Sequence, residues 1–510
     1  MQPKITTMTH VKTTATDGST VEFIMKNPMQ GTVKDVYFAP NKSYVVAFDR
    51  KQPISPLRRQ LLEKLSDQYR KAIFEQSGGE YWAERFAWPQ KLVEYNGQTG
   101  FVVPAYPQHF FFAKGTYLEG DEKNGKWFTS AKNFNTAVPP EEKGDLKGFM
   151  QVCLNLARAV RRLHAAGLAH SDLSYNNCLV DPKGGRVSII DIDGLVVPGL
   201  YPPDVLGTPD FIAPEVVATS HLQKLSDPNN PNSPLNPNRH FPCQETDRHA
   251  LAVLIYMYLF HRHPLRGGKV WNTEDDIQEK LEMGEKAMFV EHPNDATNRV
   301  RLTANDQKAL PWADPSKLPY TIVGPHLTKE FDRAFIGGLH EPRTRPLAGD
   351  WEMALVKTFD MIQPCQNKNC VKKWFIFDNT QTPKCPYCGT PYKGVLPVLD
   401  FYSCFKAGES HRSDGGRLMV FDGQSLSLWH ADREVFPNER LTAAQKKRIG
   451  YFQFHGGKWF LVNETMQGMK NITTNKEIPI NGNVELAEGL QLLLKPGLTG
   501  RVVNVKIVKG

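Results

Sequence analysis

Apolar and polar residues alternate in short runs near the start of the chain. Val33, Val36 and Tyr37, and then Tyr44-Val45-Val46-Ala47-Phe48, flank a turn at Pro40-Asn41-Lys42. Lys91 to Tyr95 and Phe101 to Pro104 flank Asn96-Gly97. A period near two, broken by turn residues, predicts antiparallel strands. Leu57, Leu61, Leu65 and Tyr69 recur about every fourth position and predict a helix over 57–74. Residues 146–166 predict a second helix. Residues 250–260 are apolar on every side, which predicts a buried helix too short to span a bilayer. Residues 107–145 look irregular, and the Pro/Asn/Ser-rich stretch 226–238 reads as a loop. Past about residue 362 the pattern changes. A cysteine-bearing segment at 365–388 precedes alternation at 418–421, 425–429, 451–454, 459–462, 490–494 and 502–508, which predicts a small β-sandwich. Residues 1–20 are threonine-rich, lack an apolar core, and read as a flexible arm and not as a secretory signal.

At 510 residues the chain has room for two or three domains, and its 40% hydrophobic and 23% charged content is that of a soluble protein. The formal charge of +8 is spread out, with no dense Lys/Arg block, so a generally basic surface is expected and neither a nucleic-acid nor a membrane partner. Eight cysteines are sparse for a secreted disulfide framework, and a cytoplasmic location follows. Four of them change the picture. Cys365 and Cys370, then Cys385 and Cys388, form two short-spaced pairs about fifteen residues apart. Tetrahedral zinc takes four thiolates, and two such knuckles bring them together with little loop entropy. Trp374 to Phe377 between them reads as a strand of a zinc ribbon. The role is structural, since four thiolates leave no open position. Cys153, Cys178, Cys243 and Cys404 read as ordinary thiols in or near the core.

The stretch from Leu163 to Asn177, with His170-Ser171-Asp172-Leu173-Ser174-Tyr175-Asn176-Asn177 at its centre, resembles the catalytic loop of eukaryotic-type protein kinases. In that chemistry an aspartate receives or orients the proton of the attacking hydroxyl, here Asp172. An asparagine five residues later reaches magnesium, here Asn177, and an aspartate on a following turn holds the metal. The turn reads Asp191-Ile192-Asp193-Gly194. Aligning the strand before it makes Asp191 the metal ligand; starting two residues later makes it Asp193. The segment Gly207 to Glu215 is similar to the end of an activation segment. Asp247 matches the aspartate that pins the catalytic loop, and Arg345 the arginine that pairs with Glu215. The resemblance covers about residues 20–360. It implies an α+β, bilobal protein-kinase fold with an N-lobe at 21–104 and a C-lobe at 105–362, followed by a zinc ribbon at 363–392 and an all-β sandwich at 393–510. It further implies a Ser/Thr protein kinase using ATP and Mg2+ or Mn2+ on a protein substrate. Gly31, Lys34, Val36, Ala47, Ala105, Leu179 and Asp193 would then bind the nucleotide, with Leu179 beneath the adenine. A nucleotide-binding pseudokinase scaffold is the alternative.

The chain departs from that pattern at several positions. Gly31 alone remains of three usual glycines. Asp49 stands where the family places its phosphate-binding lysine. The with-no-lysine kinases supply a lysine from the region of Lys34, which makes Lys34 the first candidate; Lys51 is the second. The helix glutamate that would pair with it could be Glu63, Glu75 or Glu84. Ser174 replaces a lysine and Ser171 an arginine that receives an activation-segment phosphate. Tyr201 is the one hydroxyl side chain between Asp193 and Gly207, so activity independent of phosphorylation there is expected. Trp459 to Asn463, Asn481-Gly482 and Glu488-Gly489 loosely resemble a forkhead-associated domain that lacks its phosphothreonine-reading residues. The layout, with Glu80-Tyr81-Trp82 and Phe86-Ala87-Trp88-Pro89, resembles bacterial kinases of tellurite-resistance clusters. This implies von Willebrand-type and metal-dependent protein phosphatase partners.

Overall fold

The computed structural model describes residues 9–25, 28–30, 33–198, 200, 206–230, 233–378 and 382–510. Its residues group into two units: 1–143 with 151–313 and 331–349, and 144–150 with 314–330 and 350–510.

In the first unit the alternating runs form one antiparallel sheet. Its order is Met29–Gln30, Lys34–Phe38, Tyr44–Asp49, Gln98–Pro104, Lys91–Tyr95. Asn96 and Gly97 both take positive φ, 48° and 75°, as a two-residue hairpin turn requires. The register places Lys34 opposite Asp49, Val36 opposite Ala47 and Phe38 opposite Val45. Phe101 and Val103 face Ala47 and Val45 from the next strand. Period-two geometry therefore puts Lys34, Val36, Ala47, Asp49 and Phe101 on one face. The other face packs Val46, Phe48, Val93 and Val102 against Val11, Ala15, Val21 and Phe23. That packing corrects the expected arm over residues 9–20: Thr9–Thr14 is a strand paired with Thr20–Met25. The period-two apolar positions Val11, Val21 and Phe23 are the signal that the threonine content obscured.

The helix expected at 57–74 runs from Pro56 to Phe74, capped by Ser55, whose side chain accepts from the Arg58 N–H. Its middle turn, Leu65–Tyr69, is wider than α. There the Trp88 indole N–H donates to the Leu65 carbonyl (2.8 Å) and competes for that group. Residues 107–145, expected to be irregular, hold several short helices, including Lys126–Thr129 and Ala131–Thr136. The long helix is Leu146–Ala165. The all-apolar segment lies in Gln244–Phe260, buried on all sides from His249 onward. No helix among the described residues is long and apolar enough to cross a membrane.

In the second unit, sheets of six and four strands share one apolar core. Leu399, Phe401, Val503 and Val505 meet Leu426, Phe452 and Leu461 there. The second unit runs across the positions 362 and 392 that the sequence suggested as boundaries. Residues 144–150, 314–330 and 350–362 group with the cysteine segment and the sheets. The Leu146 N–H donates to the Lys372 carbonyl (3.1 Å), Phe377 to Met361 (3.0 Å), and Met419 to Asp360 (2.7 Å). Buried backbone groups need such partners, so the ribbon is built onto the chain before it.

His263 lies buried in the first unit. Its Nε2 meets the Asp210 carbonyl (3.0 Å), while Nδ1 accepts from the Leu265 and Arg266 N–H groups (3.1 and 3.2 Å). Only the neutral ring satisfies all three. Burial holds its pKa down to about 4. The unfolded chain therefore binds more protons between that value and the ordinary histidine range, and stability falls as pH drops through this window. Urea unfolding at pH 5.5 should give a stability lower than at pH 7.5, with His263 supplying on the order of 1 kcal/mol of the difference. That share should disappear in His263→Gln. An unchanged pH slope in the variant would contradict the assignment.

Candidate functional site

The loop after the long helix is fixed by Asp247, which is 2% exposed. Its Oδ2 accepts from the His170 N–H (2.8 Å) and meets His164 Nε2 (3.1 Å). His170 Nε2 in turn meets the Ile190 carbonyl (2.9 Å). Ser171 Oγ donates to the Gly194 carbonyl (3.2 Å), and the Ile190 N–H to the Asn177 carbonyl (3.0 Å). These bonds stitch residues 170–177 to the turn at 191–194. Between them lies the hairpin Cys178–Asp181 and Arg186–Ile189. Ser171 and Asp191 both take left-handed backbone, φ 63° and 61°.

Asp172 is held from two sides. Asn177 Nδ2 donates to its Oδ2 (3.0 Å) and to its carbonyl (2.8 Å). The Thr208 N–H and hydroxyl donate to Oδ1 (2.7 and 2.8 Å). Thr208 Oγ1 also lies 3.2 Å from Ser174 Oγ. Gly207, at φ 114°, lets the segment pass this closely: a Cβ there would lie 3.1 Å from the Ser171 carbonyl oxygen. Thr208 as a clamp on Asp172 was not foreseen from the sequence.

Lys34 reaches the turn from the sheet. Its ammonium donates to Asp193 Oδ1 and Oδ2 (2.8 and 3.0 Å) and to Asp191 Oδ1. Lys51, the other candidate, is exposed. Asp193 is 5% exposed. Burial works against its charge, but Lys34 and Arg58 outweigh that and hold its carboxyl well below the usual range. Burial likewise opposes the Lys34 charge, and Asp193 and then Asp191 raise its pKa above the ordinary value. The Asp191 side chain is 44% exposed.

None of the three helix glutamates takes the expected position. Glu63 pairs with Arg59, Glu75 with Arg70, and Glu84 with Arg85, all near the surface. The inward residue is Arg58. It donates to Asp49 (Nε to Oδ2, 3.0 Å), to Asp193 Oδ2 (2.6 Å), and to the Asp193 carbonyl. An aspartate in the place of a lysine was the available signal: a buried carboxylate needs a cation.

Beside this cluster, a cleft of about 590 Å³ is lined by Met29, Val36, Phe38, Val45, Ala105, Tyr106 and Glu122, among others. Of the expected nucleotide contacts, Val36 and Ala105 line this cleft. Ala47 is buried against Leu62, Leu92 and Phe101. Leu179 is fully buried in the hairpin, bridged to Asn124, and is not among the cleft residues. Tyr106, not foreseen, has its phenol pKa pushed up by burial and by Glu122. Gly31 and Tyr201 lie outside the described residues.

Hard cations take oxygen ligands. Asn177 spends its amide N–H donors on Asp172, which leaves its amide oxygen and the nearly half-exposed Asp191 carboxylate as oxygen donors of the matching kind. Glu215 and Arg345 form a bidentate pair (2.8 and 2.7 Å), with Arg345 2% exposed.

No protein-family model matches the chain. Over 73 residues, 14% of this chain, it is 38% identical to a death-associated protein kinase of Caenorhabditis elegans. Over 81 residues it is 40% identical to cAMP-dependent protein kinase type 3 of Saccharomyces cerevisiae, and over 72 residues 32% identical to a dual serine/threonine and tyrosine protein kinase of Gallus gallus. Over this segment its relatives are protein kinases. The match spans only 5%, 18% and 8% of their respective lengths. Among solved structures, a kinase domain of a Toxoplasma gondii rhoptry antigen aligns with a TM-score of 0.39 at 12% identity, over 69% of this chain and 86% of that one.

In the second unit the four Sγ atoms of Cys365, Cys370, Cys385 and Cys388 lie within 4.8 Å of one another. Cys365 and Cys388 are 3.5 Å apart, Cys370 and Cys385 3.8 Å. Zn–S bonds of about 2.3 Å in a tetrahedron put sulfurs about 3.8 Å apart, and a disulfide needs about 2.05 Å. The group fits one zinc ion.

Two outcomes follow. Purified protein should carry one zinc per chain by elemental analysis, and Cys385→Ser should lose it. Full metal content in that variant would contradict the ligand set. Arg345→Ala should cost about 3–5 kcal/mol in urea unfolding, since it leaves a half-buried carboxylate without its partner. A loss below about 1 kcal/mol would show the pair to behave as a surface bridge.

Proposed function

We propose that the chain is an ATP-dependent protein kinase that transfers the γ-phosphate to a serine or threonine hydroxyl, with a bilobal kinase fold followed by a zinc ribbon and a β-sandwich interaction module. One observation carries the reading. The loop bearing Asp172 and Asn177, the turn bearing Asp191, and Lys34 from the sheet are joined by hydrogen bonds into one unit anchored on Asp247. Chance placement of a carboxylate, an amide and a cation does not generate such a set.

In this reading Val36, Ala105 and Tyr106 border the adenine end of the cleft, and Lys34 meets the phosphates. Asp191 and the Asn177 amide oxygen would hold Mg2+, which would supply neutralisation of phosphate charge. Asp172 orients the substrate hydroxyl and takes its proton as the new P–O bond forms and the bond to the ADP oxygen breaks. Thr208 keeps Asp172 turned toward that hydroxyl. The Glu215–Arg345 pair supports a protein substrate, because it fixes the segment against which a peptide would lie. The sandwich would engage partner proteins, including a von Willebrand-type protein and a metal-dependent phosphatase, in a cytoplasmic setting. Asn463 does not serve there as a phosphate reader: it is fully buried, and its amide donates to the Met466 and Ile478 carbonyls (2.9 Å each).

A second reading, a scaffold without transfer, is favoured by Ser174 in place of a lysine and by Lys34 being engaged with two carboxylates. Incubation with labelled ATP, Mg2+ or Mn2+ and a generic protein substrate separates the two. Asp172→Ala should lower transfer by about 10³-fold or more with nucleotide affinity retained. Lys34→Ala should weaken both binding and transfer, while Lys51→Ala should leave both near wild type. Nucleotide binding with no transfer under either metal would favour the scaffold.

A further inference from the structure

Asp49 and Arg58 form a pair whose polarity is the reverse of the strand lysine and helix glutamate that the sequence resemblance led one to expect. The cation that would need a helix carboxylate has not disappeared. It is Lys34, directly opposite Asp49 in the strand register, and it turns to Asp193 and Asp191. Arg58 lies in the first turn of its helix, a turn with no acidic residue. The helix dipole opposes a cation there. Its acceptors hold it: the Asp49 carboxylate, the Asp193 carboxylate and the Asp193 main-chain carbonyl.

The two aspartates of the turn are therefore in different situations. Asp193 is buried, and both of its carboxylate oxygens are engaged, one by Lys34 and the other by Lys34 and Arg58. Asp191 is nearly half exposed, with Lys34 on one oxygen. A metal ion would have to strip Asp193 of both cations to use it, whereas Asp191 can exchange one lysine contact for a cation.

We propose that Asp193 is a positioning residue that holds Lys34 toward the nucleotide phosphates, and that Arg58 and Asp49 form a charge-reversed bridge between helix and strand that keeps Asp193 in place. This rests on the reading that Lys34 meets phosphate. The carboxylate that orients the phosphate-binding lysine thus sits on the metal turn itself, and the helix acts on the lysine at one remove, through Arg58. Lysine position and turn position are set by the same buried group.

The test uses the full chain and two readouts. The first is the acetylation rate of the Lys34 amine at pH 9 without nucleotide, read by peptide mass spectrometry. The second is the separation of KM for ATP from kcat. Asp193→Asn keeps shape, removes the charge and replaces one of the two accepting oxygens with a donor. Lys34 acetylation should rise about tenfold, since the carboxylate whose two oxygens hold the ammonium against the turn is gone and the amine is freer to meet the reagent. The kcat/KM for ATP should fall by about tenfold or more, with KM raised. Arg58→Lys should give a smaller rise in acetylation, and it serves as the reading if Asp193→Asn does not fold.

The decisive variant is the double exchange Asp49→Arg with Arg58→Glu, which puts no lysine at position 49. It restores a helix–strand pair, so its melting temperature should recover relative to Arg58→Glu alone. Asp193 now faces a glutamate, so kcat/KM should stay low. A bridge that only fastens the helix predicts that both recover, and recovery of wild-type kcat/KM would overturn the proposal. Unchanged Lys34 acetylation in Asp193→Asn would overturn it as well. If wild-type protein transfers no phosphate, the kinase reading fails by itself, and the acetylation readout still decides whether Asp193 governs Lys34.

Discussion

A single buried carboxylate, Asp193, organises the candidate site. In a medium of low dielectric an aspartate is tolerated only when cations meet it. Here two do, from different elements: Lys34 from the sheet and Arg58 from the first turn of the helix. The requirement works in both directions. The sheet, helix and turn must approach one another for the charge to be compensated, and the neighbouring Asp191 is brought to Lys34 by the same approach. Removing Asp193 takes from Lys34 and Arg58 the one carboxylate they share, which is why the arrangement of strand, helix and turn depends on it.

The loop at 170–177 shows a second layer of the same logic. Asp247, buried near the start of the helix Gln244–Phe260, is satisfied by the His170 N–H and by the His164 ring. That satisfaction fixes the backbone of the loop, which fixes Asp172, which Thr208 then orients. Polar pairing, with little apolar contribution, thus links one member of the site to the next. The four clustered cysteines lie in the second unit beside the strands Ile362–Pro364 and Trp374–Ile376, which pair over only three residues each.

What could be read in the sequence was what is local. The spacing from Asp172 to Asn177 and on to Asp191 is carried by one loop and one hairpin, so chain order already encodes their geometry. The cysteine knuckles are local for the same reason, and Glu215 with Arg345, though distant in sequence, each sit in a recognisable short motif. Arg58 was missed because its role depends on which face of a helix turns inward, and helical periodicity alone gave Leu57, Leu61 and Leu65. Leu57 is in fact 45% exposed, and the charged residue beside it faces the cluster. Residues 314–330 fall inside the segment 105–362 expected as one lobe; their grouping with the C-terminal sheets is a tertiary fact with no local signature. Leu179 was placed by motif position alone; in the fold it pairs with Ser188 across the hairpin and bridges to Asn124, a contact with no local signature.

The central claim is that Lys34, and no other lysine, is the cation presented to the phosphates. An ATP analogue carrying a reactive acyl group on its terminal phosphate acylates the amine nearest that phosphate, and peptide mapping of the labelled chain reads which amine it was. The account predicts one dominant site, Lys34, suppressed by excess Mg-ATP. Dominant labelling at Lys51 or at another surface lysine, or labelling at Lys34 that excess Mg-ATP leaves unchanged, would contradict it.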